Sequence, residues 1–389
     1  MIAKTALNGV TCYKKDKADD GYTLFSCYDH DVWLINMEGE IVHKWRVPYI
    51  PGAHMVLRPN GNLFYSAENR KHDELGLDPE HAGLGGVLLE IDWDSNLVWK
   101  LEVPYEHHDF EFVPENDNVI VATFHPEGVF SDEKAALMQG GIPGSEFQGK
   151  IWGDIVSEFN RDGEVVWEWK AWEHMDPELE MLHPLESRVI LPYLNAVWLC
   201  KNGDLLLSAR HVSTIFRVNR ETGEIVKRYG RGELAHQHDG RELPNGNIMA
   251  FDNGIQRRGS DALYSRVVEF DGETGEIVWE YTAPVRSDFF SSICAGAERL
   301  SNGNTMISES MPGRVFEVTK DKEIVWEYIN PIFTSYVNDQ ESTMMWRAHR
   351  YERDYPGLQG KTLDPANYPL ENKLFGPEAF VRDFKPIII

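Results

Sequence analysis

Short runs of alternating apolar and polar residues, broken by Gly- and Asn-rich turns, fill the chain from about residue 20 to about residue 350. Period-two alternation places one face of each run in a core and reads as β-strand. One phrase recurs six times: a turn, an acidic or polar residue, two aliphatics and usually an aromatic. The copies are Gly39-Glu-Ile-Val-His-Lys-Trp45, Ser95-Asn-Leu-Val-Trp99, Gly163-Glu-Val-Val-Trp-Glu-Trp169, Gly223-Glu-Ile-Val-Lys-Arg-Tyr229, Gly275-Glu-Ile-Val-Trp-Glu-Tyr281 and Lys322-Glu-Ile-Val-Trp-Glu-Tyr328. Their first residues lie 56, 68, 60, 52 and 47 apart, the length of a four-stranded blade plus a variable loop. Between them stands a hairpin phrase built on Asn-Gly-type turns, as in Leu243-Pro-Asn-Gly-Asn-Ile248 and Leu300-Ser-Asn-Gly-Asn-Thr305.

Five blades are complete on this count. The sixth closes when Tyr22–Trp45 joins a strand near Met344–Tyr351, so the expected fold is an all-β, six-bladed β-propeller whose N-terminal strands pair with a C-terminal strand. The whole chain, 1–389, is expected to form one domain, with blades within about 20–352 and a tail over 353–389. A β-sandwich pair, or a seventh blade in that tail, is the alternative. Helix is expected only at Asp132–Met138 and Pro177–Leu182.

Charge narrows the functions. With 38 Lys+Arg against 63 Asp+Glu, the net charge of −25 argues against a nucleic acid or an anionic membrane as partner. An anionic substrate would then need its own local cation. The four cysteines are far apart without a CxxC pair, which argues against a disulfide scaffold or zinc knuckle. No leader-like or membrane-spanning apolar run stands out, so the expected location is cytoplasmic, with a processed periplasmic or secreted form as the alternative. No nucleotide, dinucleotide or metalloprotease motif is found, and neither a cofactor nor a metal is expected. A homo-oligomer is compatible with the sequence.

Alignment of the inner strands on their turns places His108, Asn195 and His238 at one level of the central channel. Two residues upstream stand Glu106, Tyr193 and His236. The ends of the second strands bring Glu68, Arg210, Asn253 and Ser310 to the same end of the disc, with His125 near the matching place. Strand alternation puts His107 on the opposite face from His108, as a structural residue, and leaves His54 one position off the ring. Insertions at Asn69–Gly86, Pro126–Lys150 and Asn253–Tyr264 leave from that end and are expected to cover the channel mouth. Trp99, Trp167, Trp279 and Trp326 recur as core between blades. His54, His108 and His238 with Glu68 or Asp239 also suit an alternative metal-dependent lyase or hydrolase. A non-catalytic ligand-binding propeller is a third reading.

Ser208-Ala-Arg-His211 with Thr214-Ile-Phe-Arg-Val218, His236-Gln-His-Asp239, Ser265-Arg-Val-Val-Glu-Phe270, Gly313-Arg-Val-Phe-Glu-Val318 and Trp346-Arg-Ala-His-Arg-Tyr351 resemble the bacterial arylsulfotransferase family over most of residues 20–360. The resemblance implies a propeller that moves a sulfuryl group from an aryl sulfate to a phenolic acceptor, in two half-reactions through a sulfated histidine. It implies His238 as nucleophile, with His108, Asn195 and Arg210 as its channel partners. Loss of a phenolate needs a proton donor, for which His108 is placed across the channel, and Arg210 with the Asn195 amide can hold the sulfuryl oxygens. Tyr193, His211, His236, His54 and Glu68 complete the expected substrate site. Tyr193 stands where that family often has His, and the family's leader and disulfide are not evident.

Overall fold

The computed structural model describes residues 8–69, 85–257, 259, 262–335 and 341–379. Six blades form a ring. From the channel outward, blade 1 runs His349–Glu352, Gly21–Ser26, Asp31–Ile35 and Ile41–Arg46, so the C-terminal strand closes the ring against the N-terminal ones as expected. Blade 2 begins with Pro51–Leu57, blade 3 with Glu106–Val113, blade 4 with Leu194–Leu199, blade 5 with His238–Glu242 and blade 6 with Gly296–Arg299. A second closure was not foreseen: Gly9–Tyr13 adds a fifth strand to the outer edge of blade 6.

The repeated phrases do local work. The glycines of the Asn-Gly turns, Gly61, Gly203, Gly246 and Gly303, all adopt φ of 86–88°, a region that disfavours a side chain. The first phrase needs the same backbone. Where four copies have Gly, Ser95 and Lys322 are held at φ 68° and 70°.

The recurring aromatics clasp neighbouring blades. Trp99, Trp167, Trp279 and Trp326 donate their indole N–H to the carbonyls of Arg161, Arg220, Lys320 and Met37 in the next blade's turn, at 2.9–3.0 Å. Their rings thus shield the blade interface while their one polar atom is satisfied.

The Asp132–Leu137 helix forms as expected, with Ser131 capping its start through a hydrogen bond from the Lys134 amide. Pro177–Leu182 is turn rather than helix, and a single helical turn precedes it at Ala171–His174. The described part of the tail, to residue 379, is short helical turns and not a seventh blade. The Asn69–Gly86 insertion lies largely outside the described residues.

Candidate functional site

The inner strands are not regular where they carry the polar ring. In blade 3, Phe110 pairs with Val121 and His107 with Ala122, so His108 and Asp109 form a bulge. Similar shifts occur between Leu194 and Ala196 in blade 4 and between His238 and Arg241 in blade 5. His108 (φ 67°) and Asp239 (φ 57°) occupy the left-handed region, uncommon for residues with a side chain. Bulges re-aim side chains toward a centre, and here they break the alternation on which the sequence argument relied.

The consequence for His107 is direct. Instead of serving the opposite face, it joins the ring: its Nδ1 lies 2.9 Å from His108 Nδ1, and its Nε2 lies 3.0 Å from Asp154 Oδ1. Both His107 and Asp154 are wholly buried, and the other Asp154 oxygen accepts the Leu194 amide at 3.1 Å. Neither atom of the His107–Asp154 contact has an aligned hydrogen-bond partner, but the carboxylate at 3.0 Å favours the His107 tautomer that carries its proton on Nε2. His108 then donates from Nδ1, which leaves the His108 Nε2 lone pair unused. Burial, then the nearby His107, His238 and Arg210, hold His108 well below the ordinary imidazole value.

His238 is fixed differently. Its Nδ1 lies 2.7 Å from Asn253 Oδ1, and the Asn253 amide donates to the carbonyls of Ser291 and Cys294 at 2.9 and 2.8 Å. Those two bonds orient the amide so that its oxygen faces the ring. His238 therefore donates from Nδ1 and also keeps a bare Nε2. Burial first, then the charge of Arg210, depress it to about 3, so it is neutral at pH 7.

Arg210 stands among these groups. Its charge acts on His108, His211, His236, His238 and Glu186, while its guanidinium lies 5.9 Å from the centre of the Tyr193 ring. Among the described residues, that guanidinium has no ion-pair partner. Tyr193 forms the adjoining wall, stacked on His211 at 4.5 Å and edge-on to His108 at 5.0 Å. Asn195 donates from its amide to the Gln237 carbonyl at 2.7 Å, and its own Oδ1 is buried without a donor. The expectation of an amide aimed at a sulfuryl group thus reduces to one remaining N–H beside that oxygen.

His211 and His236 meet over a residue that sequence reading missed. Glu186 Oε2 lies 2.7 Å from His236 Nε2, and Oε1 lies 3.4 Å from His211 Nε2. Burial would raise this carboxyl, but the His236 contact and the nearby His211 and Arg210 bring it to about 2. The Pro126–Lys150 insertion secures Glu186, because the Ile142 amide donates to its carbonyl at 2.8 Å.

Two predicted residues serve elsewhere. Glu68 accepts the Tyr28 hydroxyl at 2.7 Å across the blade 1–blade 2 boundary. His54 Nδ1 lies 2.5 Å from Asp109, within a buried layer one step along the channel. There Arg347 bridges Asp109 and Asp239, at 2.8 Å each, and Arg241 reaches Asp239 at 2.6 Å. His54 is therefore not grouped with His108 and His238. Among the described residues no three His, Cys, Asp or Glu side chains are arranged to hold a metal ion.

Signals for the missed residues were slight. Asp154 is one of two carboxylates, with Glu158, in the run Trp152–Phe159, and Arg347 sits in the phrase Trp346-Arg-Ala-His-Arg-Tyr351. Nothing local marks Glu186.

Several solved structures are similar to the chain. A protein of unknown function from Bacteroides caccae aligns over 85% of this chain and 100% of its own, at 13% identity and TM-score 0.53. The hydrazine synthase of Kuenenia stuttgartiensis aligns over 82% and 79%, at 13% identity and TM-score 0.48. A streptogramin B lyase aligns over 87% and 90%, at 12% identity and TM-score 0.46. At such identities the likeness concerns the fold alone. No curated protein matches the chain. The family model described as arylsulfotransferase (ASST) matches residues 78–331, well over half of the 389 residues. With six blades and a histidine-bearing channel, the chain belongs to the arylsulfotransferase family.

Proposed function

We propose that this protein transfers a sulfuryl group from a small aryl sulfate to a phenolic acceptor, in two half-reactions through a sulfated His238. The observation that carries the reading is the pair of neutral channel histidines with bare Nε2 atoms and unlike partners on Nδ1, beside Arg210, which has no ion-pair partner among the described residues.

The unlike partners divide the roles. Protonated His108 would be supported through His107 by the Asp154 carboxylate, so it suits proton uptake. His238 rests on a neutral amide, which favours an uncharged nucleophile. A sulfated His238 ring keeps its Nδ1 proton and is zwitterionic, so it needs no further counter-charge.

In the first half-reaction the His238 Nε2 lone pair attacks sulfur, the N–S bond forms, and the S–O bond breaks with its electron pair leaving on the aryl oxide. Arg210 compensates the sulfuryl oxygens and the developing charge. In the second, the acceptor phenol oxygen attacks sulfur, the N–S pair returns to Nε2, and the phenol proton passes to His108 Nε2. The donor's aryl oxide has left by then, so His108 passes that proton to solvent, which restores the enzyme. This order makes His108 a base before it is an acid. The resting bare Nε2 favours it over the proton-donor role expected from the sequence.

The test is initial-rate kinetics with 4-nitrophenyl sulfate as donor and a series of phenols as acceptors. Nitrophenol and sulfated acceptor should appear in equal amounts, and double-reciprocal lines should be parallel. Nitrophenol release independent of acceptor would indicate hydrolysis and overturn the reading.

A further inference from the structure

Beyond the Arg347 layer the channel opens again, toward the end of the disc that carries the Asn-Gly turns. A cavity of about 460 Å³ lies there, within the range of ligand pockets, and its floor is the Asp109–Arg347–Asp239 layer. It is separate from the side chains assigned to sulfuryl transfer.

Its walls are apolar and aromatic: Val56, Phe110, Phe112, Val197 and Trp198. Its polar groups are short of donors. The Glu111 carboxyl accepts the Phe112 amide at 2.8 Å and a hydrogen bond from the Leu199 backbone, and it forms no ion pair among the described residues, with Arg241 as the nearby charge. His349 Nδ1 lies 2.8 Å from Glu298 Oε2, which fixes its proton on Nδ1, and its Nε2 is buried without a partner. The cations here are committed. Arg347 and Arg241 hold Asp109 and Asp239, Arg299 holds Glu269 at 2.7 Å, and Lys201 donates to the Pro244 carbonyl at 2.8 Å. A pocket with aromatic walls and spare acceptors in a chain of charge −25 selects against an anion and for a ring that brings N–H donors.

We propose that this second chamber binds an arylalkylamine in its ammonium form. The ring fills the space between Phe110, Phe112 and Trp198, and the ammonium donates to Glu111 and His349. Burying an acceptor without a donor is costly, so a ligand that supplies the missing N–H groups gains binding where a plain hydrocarbon ring does not.

The probe is 2-phenylethylammonium, which has neither a sulfate nor a phenolic hydroxyl and is neither donor nor acceptor for sulfuryl transfer. Calorimetric titration should give one site in the wild type and in His238→Ala alike. Glu111→Gln, which keeps the shape and removes the charge, should weaken binding at least about tenfold, and phenylacetate should not bind. If Glu111→Gln fails to fold, His349→Phe is the second variant and should show the same loss. No binding at millimolar probe, equal binding by folded variants, or equal binding of phenylacetate overturns the proposal. Because the probe cannot react, none of these outcomes bears on His238.

Discussion

His107 and His108, consecutive in the chain, bring their Nδ1 atoms within 2.9 Å of each other, although consecutive residues of a regular strand face opposite ways. The left-handed backbone of His108 makes this possible, and Asp154 at the far side of His107 gives the pair a direction. A buried carboxylate linked through one imidazole to a second sets which nitrogen of the second is free. It stabilises positive charge there once a proton arrives.

Asp154→Asn should therefore lower kcat by about 10²-fold with little change in KM, since general-base assistance is commonly worth 10²–10⁴. Donors with better leaving groups should not restore the loss, because the second half-reaction carries it. Equal loss in kcat and in thermal stability, with an unchanged pH profile, would mark Asp154 as merely structural.

Arg210→Lys should not substitute for Arg210. A guanidinium fork matches two sulfuryl oxygens, whereas an ammonium offers a point charge. A loss of about 10²–10³ in kcat/KM is expected for Arg210→Ala and most of it for Arg210→Lys. Steady-state rates with 4-nitrophenyl sulfate check this, and near-wild-type rates for Arg210→Lys would count against an oriented anion clamp.

The pH profile follows from burial. His238 is pushed down to about 3 from an ordinary 6.5, so the nucleophile stays neutral far below pH 6. The acid limb of kcat/KM should lie well under 6.5. The same shift works against stability. His43 and His54, brought to about 4, and His211 and His238, brought to about 3, bind protons in the unfolded chain at pH values where the folded chain cannot. Their contribution is complete above 6.5 and declines as pH falls toward 4. Glu106 and Glu111, raised by burial to about 8 and about 7, act the other way between their unfolded values and those, and offset part of the slope. Urea unfolding between pH 7.5 and 4.5 should show falling stability while the specific rate of the folded enzyme persists.

The buried layer under the ring should be costly to open. Arg347→Met leaves Asp109 and Asp239 without the cation they share and is expected to lose about 3–5 kcal/mol. Urea unfolding measures it, and a loss below about 1 kcal/mol would mean that His54 and Arg241 compensate fully. At the periphery, Lys322→Gly removes a side chain from a φ of 70° and should stabilise by up to about 1 kcal/mol.

The ring of blades was legible because each blade is written locally. The turn glycines, the aliphatic pair and the clasping tryptophan recur within a few residues of one another, as in Gly163–Trp169 and Gly275–Tyr281. His108, Asn195 and His238 could be placed at one level because their distance to a turn is countable. Asn253, which directs His238, was countable in the same way, but the partners of the other site histidines were not legible. Asp154 reaches His107 from another strand, Glu186 comes from an insertion with no repeat to align it, and the bulges at His108 and Asp239 cancel the alternation that assigned His107 away from the channel. Those are tertiary facts, set by which strand lies beside which.

The central claim is that His238 is the residue sulfated. Brief mixing of the protein with 4-nitrophenyl sulfate and no acceptor, followed by intact-mass spectrometry and peptide mapping, tests it directly. One sulfuryl group per chain on His238, with a matching burst of nitrophenol and transfer onto phenol when acceptor is added, is the predicted result. A sulfuryl group on His108, or no adduct and no burst across several aryl sulfates, would contradict it.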